Sequence, residues 1–225
     1  MSMRGIVPVA ALAIAALTAG WWSPAEPSEW PFRVVTVSGR AEVSKGSTSG
    51  WSAARLRAEL EPGAAARTLQ GRLTLTTASG QELRLAPLSR IALPEAGATD
   101  QPTRVRMEAG SAWVAVAPGS PPREQLEVQT PVVTVTVRGS GVGLTLGRDG
   151  SVLVRVYHGA AECAGPGPER QWHRLLGDGQ ELLVPGAGRP GETRTLIRDK
   201  LDADWVKWNE EQDLAGGYGG KPPGQ

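Results

Sequence analysis

The chain has 225 residues, with 24 Lys and Arg against 23 Asp and Glu, and a single Cys. That length accommodates one domain of ordinary size with short appendages. A net charge of +1 provides no global field for nucleic acid, and one Cys excludes an intrachain disulfide.

Residues 1–22 read as a signal peptide or an N-terminal membrane anchor. Arg4 supplies a short positive region, and Gly5 to Ala19 is almost wholly apolar, as in a signal-peptide core. Cleavage after Gly20 or after Ala25 is compatible with this pattern. So is an uncleaved anchor, because Gly5 to Trp22 just reaches the roughly 18 residues that span a bilayer. Trp21 and Trp22 would then lie in the interfacial belt. Gly20 stands where a lipidated Cys would be needed, so lipidation is not expected. In each version residues 30–225 lie outside the cytoplasm. Residues 23–31 form a Pro-rich linker.

From Phe32 to about residue 195, short alternating runs recur with Gly, Pro, Ser or Asp between them. They include Arg33–Val37, Ala41–Ser44, Arg72–Thr76, Glu82–Leu85, Arg90–Leu93, Val105–Met107, Trp113–Val116, Leu126–Val128, Val132–Val137, Val142–Leu146 and Val152–Tyr157. Alternation of this kind marks half-buried strands, so the fold class is all-β. Leu73, Leu75, Leu83, Leu85, Ile91 and Leu93 point to one side, with Arg72, Thr74, Arg84 and Arg90 on the other. A β-solenoid or β-helix-like stack buries such faces between coils, and a sandwich satisfies the same pattern. Residues 51–66 read as a loop with a short helical turn, and residues 164–171 as another loop. Asp149-Gly150 between two alternating runs is a hairpin signal.

The period changes near the C-terminus. Ile197, Leu201, Trp205 and Trp208 recur at helical spacing, which predicts an amphipathic helix over roughly 198–214 within a segment 196–215. Both indoles are expected to pack inward as the helix caps an open end of the β core. Residues 216–225 lack apolar periodicity and read as a disordered tail.

Catalytic signatures are not found. His158 and His173 lie 15 residues apart with no Cys pair at ligand spacing, so they read as ordinary surface or turn histidines rather than zinc ligands. Cys163 reads as a buried small hydrophobe. Arg138-Gly139-Ser140-Gly141-Val142-Gly143 has its glycines in the wrong frame for a nucleophile elbow and no following Lys for a phosphate loop. No acid pair suited to glycoside cleavage stands out. No enzyme activity and no cofactor are therefore expected. The outward arginines Arg72, Arg84, Arg90, Arg104, Arg106, Arg138 and Arg155 form a candidate ladder for an anionic glycan. A solvated strand face explains them as well, since Glu82, Glu108 and Glu127 are interspersed. Trp205 and Trp208 share a helix face and complete the candidate interaction surface.

The order of these elements resembles the FecR domain family. The residues that carry the resemblance are Val137-Arg138-Gly139-Ser140 followed by Asp149-Gly150, preceded by VTVSGRAEV at 35–43, Gly71 to Thr77, Gln81–Leu85, Ser89–Leu93 and Glu108-Ala109-Gly110. Ser140 stands where Thr is usual. The resemblance implies a non-enzymatic, β-solenoid-like domain of a Gram-negative envelope, in the periplasm or at the inner membrane facing it. It also implies protein interaction or signal sensing, with an unidentified envelope protein as partner, or the inner membrane if residues 1–22 stay uncleaved. A glycan-binding module is the alternative. Family members that regulate sigma factors carry a cytoplasmic region before the membrane span. Only Met1–Arg4 precede the apolar run here, so that activity is not expected.

Overall fold

The computed structural model describes residues 32–46, 50–94, 102–166 and 172–219. The segment 1–22, the linker 23–31 and most of the 164–171 loop lie outside the described residues. The elements in chain order are β1 (Phe32–Ser44), β2 (Ser52–Ala53), β3 (Glu59–Leu60), β4 (Ala65–Thr76), β5 (Glu82–Leu85), β6 (Arg90–Ala92) and β7 (Thr103–Ala115). A single 3-10 turn (Pro122–Glu124) leads into β8 (Leu126–Gln129), followed by β9 (Thr134–Leu146), β10 (Val152–Ala164), β11 (His173–Leu176), β12 (Gln180–Val184) and β13 (Arg194–Thr195). The last element is helix α1 (Ala203–Gly216).

Several runs that read as separate strands are halves of one long strand. β1, β4, β7, β9 and β10 each bend at a glycine: Gly39, Gly71, Gly110, Gly139 and Gly159. Each strand contributes one half to each of two layers. The first layer contains residues 33–38 of β1, 72–76 of β4, β5, 110–115 of β7, 141–146 of β9, 152–156 of β10, β12 and β13. The second contains residues 41–44 of β1, 65–67 of β4, β6, 103–109 of β7, β8, 134–138 of β9, 160–164 of β10 and β11. Among the described residues all ladders are antiparallel except β7–β8. The all-β expectation is borne out. The ladders describe a mostly antiparallel sheet whose long strands bend between two layers.

The core lies between the layers. Leu73, Leu75, Leu83, Leu85, Val114, Val142 and Leu144 from the first layer meet Ala66, Ile91, Met107, Val128, Val135, Val137 and Cys163 from the second in one cluster. Burying each Leu, Ile, Val or Met side chain among them stabilises the fold by roughly 1.5–3 kcal/mol. Gly159 shows why the bends take glycine. Its φ is +81°, and a Cβ there would strike the Gly139 carbonyl and Ser140 of the adjoining bend. The Asp149-Gly150 hairpin joins β9 and β10 as its sequence predicts. Asp149 accepts from the Ser151 amide (3.0 Å) and hydroxyl (2.7 Å), which hold its carboxyl below the ordinary range.

Residues 51–66 are not helical. β2 and β3 pair with β1, and the connection between them donates from Arg57 N–H to Val34 O (2.8 Å). An exposed edge of β1 needs such partners, and that need overrides local propensity. Helix α1 also differs from expectation: it starts five residues later and lies on the outer face of the first layer, not over an open end. Ile197 and Leu201 precede the helix and are 65% and 95% exposed.

Candidate functional site

The outer face of β5, β7 and β10 carries Arg84, Trp113, Tyr157 and His158, while α1 turns Val206, Asn209, Glu210 and Asp213 toward the sheet. The spacing of these four helix residues defines one face, and three of them are polar. The face suits the sheet because the sheet offers charged and polar partners there.

Asp213 is the centre, with no exposed surface. Its Oδ1 accepts from Arg84 Nη1 at 2.6 Å, and its Oδ2 accepts from Trp113 Nε1 at 2.9 Å and lies 2.8 Å from His158 Nε2. His158 Nδ1 accepts the Gly141 N–H at 3.2 Å, so the ring proton resides on Nε2 and is donated to Asp213. Arg84 is 1% exposed. It also donates to Glu82 (2.7 Å) and to the Asn209 carbonyl (3.1 Å). A guanidinium and a carboxylate buried together are tolerable only when hydrogen-bonded in this way.

Gly141 and Gly143 make room for the cluster. A Cβ at Gly141 would meet His158 Nε2 and Asp213 Oδ2, and one at Gly143 would press on Tyr157. The glycines after Arg138 thus act through space as well as through bending. Tyr157 stacks on Trp113 with centroids 4.5 Å apart, and burial pushes its hydroxyl up to about 12. Tyr218, placed in the tail by its sequence, is 7% exposed and donates to Gly80 O at 2.5 Å. Around the rim, Arg155 binds Glu181 (3.3 Å) and Asp202 (2.6 Å), and Arg198 holds Glu210 through two bonds.

The arginine ladder does not form one surface. Arg72, Arg84 and Arg155 belong to the first layer, beside α1, whereas Arg90, Arg104, Arg106 and Arg138 face outward from the second. Arg84, read as solvent-facing, is buried because α1 covers it. Arg90 pairs with Glu108 (2.7 Å), Arg104 with Glu127 (3.2 Å) and Arg138 with Glu162. Arg106 is exposed and lines an open groove of about 840 Å³ with Glu108, Glu127 and Gln129. Trp205 and Trp208 are half-buried, and Trp205 packs against the cluster of Trp113, Ala115, Val206 and Tyr218. They stack on each other at 5.5 Å, with the Arg72 guanidinium over both rings.

His158 departs from its reading as a surface histidine, while His173 is exposed and 2.6 Å from Glu162. Cys163 is buried, as its sequence position predicts, and burial pushes its thiol up to about 12. Val137 is buried, and Ser140 donates to Ala160 O at 2.7 Å. Asn209 and Asp213 were not legible as site residues. An Asp among exposed-looking helix positions gives no signal until its partner strands are placed. Among the described residues no group of three or more His, Cys, Asp or Glu is arranged to hold a metal. The Asp213 cluster is closed to solvent and its hydrogen bonds are internal, so it acts as a clamp.

Comparison with known proteins agrees with the resemblance in the sequence. A family model described as FecR protein matches residues 64–162. No curated protein matches the chain. Two crystal structures from Parabacteroides distasonis, each described as a "putative anti-sigma factor", share the fold with a TM-score of 0.50. One is 18% identical, over 64% of this chain and 62% of that one. The other is 17% identical, over 68% and 73%. The match thus spans less than two thirds of the first of these structures.

Proposed function

With a FecR domain matched at residues 64–162 as premise, we infer that this chain is an exported, non-enzymatic module that senses signals or binds protein in the bacterial envelope. Export rests on the sequence of residues 1–22; no helix among the described residues is long and apolar enough to cross a membrane. The observation that carries the interaction reading is the ledge formed by Arg72, Trp205 and Trp208. Two stacked indoles and a guanidinium stay half-exposed there, on a helix clamped rigidly by Asp213. Trp and Arg on a rigid support are the residue types that dominate protein-binding hot spots.

Photo-crosslinking in intact cells from Gln212, an exposed position one turn from Trp208, tests this reading. A discrete crosslinked protein is expected, and Arg72→Glu with Trp208→Ala should abolish it. Crosslinking that survives both changes would move the interface elsewhere. Salt-sensitive binding to a purified acidic glycan, with no protein captured, would replace this reading with the glycan one. The separation of the arginines onto two faces, and their pairing with carboxylates, disfavours that outcome.

A further inference from the structure

Between β2 and β3 the chain makes a turn over Arg55-Leu56-Arg57-Ala58, closed by Ala58 N–H to Arg55 O at 3.1 Å. Arg57 adopts φ 66°, a left-handed conformation uncommon for a residue with a Cβ. The turn projects Leu56, which is 63% exposed, next to Val35, which is 40% exposed. Arg33, Val34, Val35, Leu56, Arg57 and Glu59 line a shallow groove of about 540 Å³ here. Glu59 neutralises Arg33 at 2.9 Å, whereas Arg55 and Arg57 are exposed cations on either side of the leucine.

We propose that this turn docks on the surface of an anionic lipid bilayer, with Leu56 entering the headgroup region and Arg55 and Arg57 binding lipid phosphates. Two observations identify the occupant. The turn is bonded to Val34, two residues past the start of β1. Upstream of β1, the nine residues 23–31 extend at most about 30 Å and lead directly to the apolar run Gly5–Trp22. The turn is therefore held close to whichever bilayer that run enters. Charge complementarity agrees, because an Arg pair matches phosphate geometry and each cation near an anionic leaflet adds attraction. The proposal rests on reading residues 1–22 as an anchor.

The test uses the full chain, reconstituted into phosphatidylglycerol-containing vesicles with brominated acyl chains. A fluorophore is attached through Leu56→Cys or, as control, Leu88→Cys. Leu88 is 71% exposed and bonds Leu69 O beside the Gly39–Gly71 bend of the β1–β4 ladder, away from its Phe32 end. Bromine should quench the label at position 56 and leave that at 88 bright. Arg55→Glu with Arg57→Glu should return position 56 to the level of 88, as should vesicles of phosphatidylcholine alone. Equal quenching at the two positions overturns the proposal, as does a fluorescence change at 56 that ignores bromine and reports a protein contact instead. An alkaline wash judges the anchor separately. Chain that washes off without loss of fold refutes the anchor, while quenching at 56 alone decides the docking.

Discussion

Asp213 accepts from three side chains while fully buried, so removing its carboxylate should leave Arg84 with Glu82 as its one carboxylate partner and strip Trp113 and His158 of their acceptor. Asp213→Ala is expected to cost about 3–5 kcal/mol, read from urea denaturation. Gly141→Ala should destabilise in the same assay by roughly 1–3 kcal/mol, because its Cβ forces His158 and Asp213 apart. Titration gives a second residue-scale test. Burial pushes Tyr157, Tyr218 and Cys163 up to about 12 from ordinary values of 10.0 and 9.0. A raised acid leaves stability intact below its unfolded value and removes it as pH climbs toward the folded one. The urea midpoint should accordingly stay level through neutral pH and fall from about pH 9 toward 12. Cys163 was legible from its place in an alternating run. The Asp213 cluster was not, since its three side-chain partners are 55 to 129 residues distant in sequence.

At the scale of the element, α1 illustrates how a period can mislead. Ile197, Leu201, Trp205 and Trp208 fit a helical stripe, but the chain enters the helix only at Ala203. The buried stripe runs through Val206, Asn209, Glu210 and Asp213 instead. Apolar periodicity cannot find a face whose partners are Arg84 and His158. Val206→Ala should cost about 1–2 kcal/mol, whereas Leu201→Ala should stay within about half a kcal/mol. Equal costs in thermal unfolding would restore the earlier start. The strands behaved differently. Nearly every predicted run is a strand, because burial between two layers imposes strict alternation. What the runs concealed is continuity: 33–37 and 41–44 are one strand, as are 105–107 and 113–115.

For the whole molecule, stability depends on bends where long strands pass from one layer to the other. Gly159→Ala should lose about 1–2 kcal/mol from its left-handed backbone alone, and more from the clash with Gly139. Circular dichroism with a denaturation series will show whether the loss is global, as expected when both layers share one core, or confined to α1. The sequence by itself determined the all-β class, the identity of the inward residues, the Asp149-Gly150 hairpin and the family resemblance, because alternation, turn chemistry and glycine position are local properties. Only the tertiary structure decided which runs join through a bend, which arginines share a face and where α1 docks. Those outcomes depend on pairs of residues far apart in the chain, and local chemistry does not specify them until the sheet has folded over.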